Sequence, residues 1–188
     1  MAMSLAAGTA ATTKKTAIKI RDAKLGDAPS LAALMCELGY ETTSVEMQRR
    51  LKLILRDARC RTLVAEIGHQ VCGMIGTLTH ASHEHNDPSG EIVALVVSKK
   101  QRRSSIGRAL IAAAEKDFAQ RKVARVSLTT RFTRKEAHQF YEALGYSKTG
   151  FRFVKELQRL RTLRNSERST RSIPRGVTTQ ISPLAGRS

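Results

Sequence analysis

One run of aliphatic residues constrains the architecture that this chain can adopt. Residues 91–98 (E-I-V-A-L-V-V-S) contain six consecutive apolar positions, the pattern of a strand that is buried on both faces of a sheet. A basic turn follows, and residues 105–120 then place apolar side chains at helical spacing. A buried strand that runs directly into a helix predicts a layered α/β fold.

The segments around this strand alternate between strand and helix patterns. Alternating or continuous apolar runs predict further strands at residues 17–21, 62–67, 71–78, 125–130 and 151–157. Helical spacing predicts helices after Asp27, after the capping box of Thr43 and Glu46, and over residues 105–120 and 134–144. The order β-α-α-β-β-β-α-β-α-β predicts one α/β domain over residues 17–157.

Length and composition exclude several classes of protein. The 188 residues suit about one domain, and the longest apolar runs are far shorter than the ~20 residues of a membrane span. Cys36, Cys60 and Cys72 lack the C-x-x-C spacing of a zinc ribbon, and three thiols do not make a disulfide framework. We therefore expect no membrane span and a reducing compartment, the cytoplasm.

Charge is the second constraint. Lys and Arg total 33 against 16 Asp and Glu, and the net charge of +17 predicts an anionic partner such as a nucleic acid or a phosphorylated ligand. Residues 158–188 carry seven Arg, one Glu and no aromatic residue, so we expect a disordered basic tail there and a disordered leader at residues 1–16. Such a tail would bind nucleic acid only non-specifically. Weak attraction to a membrane surface and no function at all are the alternatives.

The basic turn after the central strand carries a chemical signature. It reads L-V-V-S-K-K-Q-R-R-S-S-I-G-R-A-L from Leu95 to Leu110. Unpaired N–H groups and the positive dipole end at a helix start suit a phosphate, and the small residues Ser104, Ser105 and Gly107 let a ligand approach the backbone. The pattern predicts a phosphorylated cofactor. A capped surface helix with solvated basic side chains is the alternative.

Two separated motifs carry a family resemblance. The turn is close to the pattern [R/Q]-x-x-G-x-[G/A], with Arg102 and Gly107 matching and Ser105 in place of the first glycine. From Ala137 to Tyr146 the chain follows A-x-x-F-Y-x-x-x-G-[F/Y]. Together with the element order over about residues 18–157, these motifs resemble the GNAT superfamily of acetyl-CoA-dependent N-acetyltransferases.

The resemblance implies a fold and a cosubstrate site. The implied fold is a mixed, mostly antiparallel sheet of about six to seven strands, with helices on both faces and a central splay beside residues 91–98. Acetyl-CoA is the implied cosubstrate, with its pantetheine arm along that strand and its pyrophosphate on the basic turn. The implied cofactor-binding residues are Leu95, Val96, Val97, Arg102, Arg103, Ser104, Ser105, Ile106, Gly107, Arg108 and Phe140.

Three positions depart from the family pattern. Ser105 stands at a glycine position, Arg134 where an asparagine is usual, and Lys99 where a proline is common. A serine prefers a negative φ, so Ser105 puts in question whether the backbone of the turn can form the predicted cradle for the pyrophosphate. These departures keep a second class of function open: a catalytically weak GNAT module that binds CoA, or that acts with nucleic acid or ribosomes through the basic tail.

The same resemblance assigns two catalytic residues. Tyr141 stands where the family places the general acid that protonates the leaving thiolate, and simple packing beside Phe140 is the alternative. Glu91 begins the central strand, where some members place a carboxylate base, and an exposed acid at a strand end is the alternative. No cysteine lies in the motif strand or turn, so we expect direct attack of a primary amine on acetyl-CoA in a ternary complex.

A histidine-rich loop over residues 80–87 lies between two predicted strands. The resemblance places it at the acceptor pocket, so His80, His83 and His85 are candidates for substrate binding. With Glu84 and Asp87 they also offer ligands for a divalent metal, and we assign no firm metal site there. A flexible polar loop is the third interpretation.

A narrower resemblance concerns the acceptor. Residues 73–76, 80–85, 90–97, 137–141 and 151–155 look most like the aminoalkylphosphonate N-acetyltransferases within the family. This implies a small-molecule amine acceptor such as an aminoalkylphosphonate. Dimers are common in folds of this kind, so a homodimer stays open.

Overall fold

The structure is a computed structural model that describes residues 17–157. The chain divides into two compact units, residues 1–149 and residues 150–188. Every described helix and strand lies in the first unit, and residues 150–157 of the second contain neither. The predicted leader (1–16) and basic tail (158–188) lie outside the described residues. Within residues 17–157, no helix is both long and apolar enough to cross a membrane.

Five strands form one sheet among the described residues. They lie side by side in chain order and are β1 (Lys19–Asp22), β2 (Cys60–Ile67), β3 (Gln70–His80), β4 (Ser89–Val97) and β5 (Arg125–Leu128). The first four pair antiparallel, and β4 pairs with β5 in parallel. The mixed, mostly antiparallel sheet is therefore confirmed, but within residues 17–157 it has five strands rather than six to seven.

The predicted strand at residues 151–157 is wrong. Phe151 and Phe153 flank Arg152, which is the period-two pattern of a strand. A strand also needs a neighbour that shares its backbone hydrogen bonds, and residues 151–157 belong to no sheet of the described chain. A local pattern indicates the preference for extended backbone but does not supply the neighbour.

Helices α1 (Ala28–Leu38) and α2 (Ser44–Ile54) cover one face of the sheet. Gly39 ends α1 in the left-handed conformation, with φ 97°. Thr43 and Glu46 form the predicted capping box: Thr43 Oγ1 accepts from the Glu46 N–H at 3.2 Å, and the Glu46 carboxylate accepts from the Thr43 N–H at 2.9 Å. These two caps fix both ends of the loop at residues 39–43.

Helices α3 (Ile106–Gln120) and α4 (Lys135–Glu142) pack on the other face. The fit of α3 against β4 is tight, because a Cβ at Gly90 would lie 2.7 Å from Cε1 of Phe118. Apolar residues of the sheet and of α3 fill the rest of this layer, among them Ile75, Ile92, Ile106 and Ile111. The prediction of helices on both faces is thus confirmed.

Candidate active site

Strand β4 separates from its parallel neighbour partway along its length. It pairs with β3 as far as its last residue, but its pairing with β5 ends at Ile92. A bulge at Val93 marks the same place, and the Val93 side chain is 56% exposed although β4 is an inner strand. Among the described residues, no strand pairs with this edge of residues 93–97, which is the predicted central splay.

The hydrogen bonds show which groups face this open edge. The Ser98 N–H donates to the Cys72 carbonyl of β3 at 2.8 Å. Because successive N–H groups of a strand point to opposite sides, those of Val97 and Leu95 point away from β3 and towards the open edge. An edge of unpaired N–H and C=O groups accepts an extended ligand as a further strand. The amide groups of a pantetheine arm match this requirement.

The turn between β4 and α3 contains two left-handed residues. Arg103 has φ 62°, and Ser105 has φ 64° and ψ 4°. Lys99–Gln101 forms a 3-10 turn, and the Ser104 hydroxyl donates to the carbonyl at its end. Turns with left-handed residues can direct neighbouring N–H groups towards an anion. Ser105 adopts the conformation that a glycine would adopt freely, so the serine does not prevent a left-handed backbone at this position of the predicted cradle.

The start of α3 adds further donors. Its first intrahelical hydrogen bond runs from the Ala109 N–H to the Ser105 carbonyl at 3.0 Å, so the N–H groups of residues 106–108 have no acceptor within the helix. Four basic side chains of this segment are exposed and form no ion pair with a described residue: Lys99, Lys100, Arg102 and Arg108. Free N–H groups, a helix dipole and cations together fit a pyrophosphate.

Gly107 lets α4 approach the end of β4. A Cβ at this position would lie 3.2 Å from Cζ of Phe140 and 3.9 Å from Cγ2 of Val97. Glycine therefore favours close packing here, since an added methyl group would require Phe140 to shift by a few tenths of an ångström. The structure brings together three of the predicted cofactor-binding residues, one from each of β4, α3 and α4.

Tyr141 lies half-buried beside this contact. Its ring stands edge-to-face with those of Phe140 and Tyr146, at 5.3 and 5.8 Å between centroids. Burial raises the pKa of Tyr141, and the charge of Arg134 opposes that rise. Its hydroxyl makes no hydrogen bond within residues 17–157, whereas the Tyr146 hydroxyl donates to Glu115 at 2.9 Å. Tyr141 is thus protonated at neutral pH and available as a donor.

Glu91 lies on the opposite face of the sheet. Its neighbours Gly90 and Ile92 both face α3, the first against Phe118 and the second within the apolar layer. Because side chains alternate along a strand, Glu91 faces the side of α1 and α2. It is half-buried and immediately precedes the point where β4 leaves β5.

The structure does not bring the three histidines together at a metal site. His80 ends β3, with its Nδ1 3.0 Å from the carbonyl of the next residue. His83 and His85 are exposed in the loop, where Ser82 Oγ accepts from the His85 N–H at 3.2 Å. Across residues 17–157 no three His, Cys, Asp or Glu side chains could hold a metal ion together. Acceptor binding by these histidines stays a prediction.

Two residues outside the predicted site connect its parts. The Glu37 carboxylate, near the end of α1, accepts from the Lys99 N–H at 2.7 Å and from the Ser98 hydroxyl at 3.2 Å. Arg134 Nη2 donates to the Leu38 carbonyl at 2.6 Å. The end of α1 therefore holds both the start of the basic turn and the start of α4. Of these two residues, only Arg134 could be singled out from the sequence, because it stands where the family pattern has an asparagine. Glu37 lies in a helical stretch that carries no motif.

An open strand edge beside an anion-binding helix start is the arrangement expected of a protein that binds a CoA thioester. The chain matches the acetyltransferase (GNAT) family over residues 28–146. It is 33% identical to the aminoalkylphosphonate N-acetyltransferase of Salmonella typhimurium over 140 residues, which cover 74% of this chain and 91% of that protein. The chain therefore belongs to the GNAT family of acetyltransferases.

Solved structures agree with this fold. A transcriptional regulator from Bacillus halodurans has a TM-score of 0.70 at 21% identity, over 75% of this chain and all (100%) of that chain. A GNAT family acetyltransferase from Staphylococcus aureus has a TM-score of 0.65 at 22% identity, over 74% of this chain and 98% of that chain. The predictions of an N-acetyltransferase and of acetyl-CoA as its cosubstrate are confirmed at the level of the family.

Proposed function

We propose that the protein transfers the acetyl group of acetyl-CoA to the primary amine of a small anionic acceptor, such as an aminoalkylphosphonate, by direct attack in a ternary complex. The similarity to an aminoalkylphosphonate N-acetyltransferase over most of that protein's length supports the acceptor class. The excess of basic residues supports an anionic acceptor. The observation that carries the proposal is the contact of the open β4 edge with the start of α3 and with α4, at Val97, Gly107 and Phe140.

Acetyl-CoA supplies an activated acetyl group when it is bound. The open edge of β4 binds amide groups, while the N–H groups of residues 106–108 and the neighbouring basic side chains bind phosphate oxygens. The Val97 N–H, which points to the open edge, donates to the carbonyl oxygen that gains negative charge during the reaction. One such donor commonly lowers a barrier by about 3 kcal/mol.

Two protons have to move during the transfer. An ordinary alkylammonium has a pKa of ~10, so most of the acceptor is protonated at neutral pH. Glu91 accepts the proton that the amine loses, directly or through water, as the C–N bond forms. Tyr141 donates its phenolic proton to the departing sulfur as the C–S bond breaks, and solvent later restores it.

A panel of acceptors tests the proposal. The full-length protein is incubated with acetyl-CoA and one of five amines: aminoethylphosphonate, propylamine, an aminoglycoside, a polyamine or a basic peptide. Thiol release gives the rate, and mass spectrometry identifies the acetylated product. We expect kcat/KM for aminoethylphosphonate to exceed that for propylamine at least about 10-fold, the worth of one charge-assisted hydrogen bond.

Two outcomes would contradict the proposal in different ways. Preference for the aminoglycoside, the polyamine or the basic peptide would contradict the anionic acceptor but keep the reaction. Absence of CoA binding in calorimetry would contradict the reaction itself.

A further inference from the structure

Two arginines near the start of α4 hold the end of α1 and the loop after it. Arg134 Nη2 donates to the Leu38 carbonyl at 2.6 Å. The guanidinium carbon of Arg131 lies 5.8 Å from the centre of the Tyr40 ring, within the range of a cation–π contact. Both contacts join distant segments of the sequence: Arg134 and Leu38 are 96 positions apart, and Arg131 and Tyr40 are 91 positions apart.

A third arginine holds the other end of the same loop. Arg50 of α2 donates from Nη1 to Thr42 Oγ1 at 3.1 Å, and the buried Thr42 hydroxyl donates to the Tyr40 carbonyl at 3.0 Å. The chain from Leu38 to Thr42 spans at most about 14 Å. Three guanidinium groups from two parts of the chain therefore contact one short loop.

These three cations have no carboxylate partner among residues 17–157. In contrast, Arg21, Arg59, Arg61, Arg103 and Arg121 each form an ion pair. The charge of Glu46 acts on Arg50 alone of the three, and the half-buried Arg134 has lost part of its hydration. A bound anion would offset that loss.

The cluster lies next to the catalytic groups of the proposed function. Arg134 is near enough to Tyr141 for its charge to act on that phenol. Glu37, which directly precedes Leu38, holds the backbone of Lys99 just beyond the open edge of β4. An anion held by the arginines would therefore place a short attached amine near the end of that edge.

We infer that Arg50, Arg131 and Arg134 form the binding site for the anionic end of the acceptor. Guanidinium groups bind phosphonate or phosphate oxygens through paired, charge-assisted hydrogen bonds. Arg134 uses Nη2 for the Leu38 carbonyl, so Nε and Nη1 are left to bind a ligand. The phosphates of acetyl-CoA share this chemistry and are the competing source of the anion. The inference deepens the proposed function and rests on it.

A binding experiment tests the site without turnover. Methylphosphonate, which has the anionic group but no amine, is titrated into the full-length protein and followed by calorimetry. We expect Arg131→Gln and Arg134→Gln each to weaken its binding about 10–100-fold, because a hydrogen bond to a charged group is lost. Arg49→Gln removes a neighbouring α2 charge outside the cluster and is expected to leave binding unchanged. Failure of the wild-type protein to bind methylphosphonate, or equal losses in all three variants, would overturn the inference.

A kinetic experiment separates the two sources of the anion. In Arg134→Gln we expect KM for aminoethylphosphonate to rise about 10–100-fold. kcat/KM for propylamine and KM for acetyl-CoA are expected to change at least about 10-fold less than KM for aminoethylphosphonate, and Arg134→Lys is expected to recover part of the loss. An equal rise in KM for acetyl-CoA, or an equal loss with propylamine, would overturn the assignment to the acceptor. Methylphosphonate binding without acetylation of any amine would contradict the proposed function instead.

Discussion

Replacement of Ser105 by glycine is expected to stabilise the protein. Ser105 has φ 64° and ψ 4°, a conformation that costs a residue with a side chain about 1–2 kcal/mol. Glycine removes that cost but has more freedom in the unfolded chain, which offsets about 0.4–1 kcal/mol. The serine side chain is exposed and makes no capping hydrogen bond, so little else is lost. The free energy of unfolding is therefore expected to rise by about 0.5–1 kcal/mol.

Equilibrium urea unfolding followed by circular dichroism measures this change, with the melting temperature as a second readout. For a chain of this size, 1 kcal/mol corresponds to about 2–4 °C. Ser104→Gly is the matched control, because Ser104 does not have a positive φ and its hydroxyl donates to the Gln101 carbonyl. The Ser104→Gly control is expected to lower the free energy of unfolding. Ser105→Ala keeps the unfavourable φ and is expected to leave the free energy of unfolding unchanged.

A loss of stability in Ser105→Gly would show that the serine hydroxyl contributes more than its backbone conformation costs. The same variant also tests the phosphate cradle. Because the backbone already has the conformation that glycine prefers, the affinity for acetyl-CoA is expected to be unchanged or higher. A large loss of affinity would mean that the Ser105 hydroxyl itself binds the cosubstrate.

Three further predictions follow from the site and the domain limits. Tyr141→Phe is expected to keep CoA affinity in calorimetry and to lower turnover by about 10²–10⁴, whereas the control Tyr146→Phe is expected to keep turnover. Since burial raises the pKa of Tyr141, wild-type turnover is expected to lose this acid only at a pH above the ordinary titration range of tyrosine. Gly90→Ala is expected to lower the unfolding free energy by about 1–3 kcal/mol, because the added methyl group meets Phe118 at 2.7 Å, and an unchanged urea midpoint would contradict this. Truncation after Leu157 is expected to leave acetyl transfer to small amines nearly intact and to abolish nucleic-acid binding measured at low salt. If the truncated protein fails to bind CoA, the tail is part of the fold and the domain limit at Leu157 is wrong.

Much of the fold could be predicted because its strongest signals are local. The aliphatic run of β4, the capping box of Thr43 and the glycine after α1 each fix an element through residues next to one another in sequence. The basic turn was predictable for the same reason, since a strand, small residues and a helix start follow one another directly. Such signals locate elements and identify the type of ligand.

Contacts between distant segments left no such signal. The hydrogen bonds of Glu37 to Lys99 and of Arg134 to Leu38 join residues 62 and 96 positions apart, and no periodic pattern marks either pair. The prediction of a strand at residues 151–157 failed similarly, because pairing depends on a neighbour elsewhere in the chain. The sequence also placed Asp27 at the start of α1 correctly, but its carboxylate binds Arg21 rather than capping the helix.

The two proposed proton-transfer residues lie on opposite faces of the sheet, and this arrangement explains why β4 needs its bulge. Tyr141 packs with the α3 layer, whereas Glu91 faces α1 and α2, the side that also carries the arginine-held loop. An unbroken sheet would separate an amine on one face from a thioester on the other. The bulge at Val93 and the end of pairing at Ile92 open the sheet between them. Under the proposed function, the acceptor approaches from the α1 and α2 side, the thiol leaves on the α3 side, and the acetyl group crosses between β4 and β5.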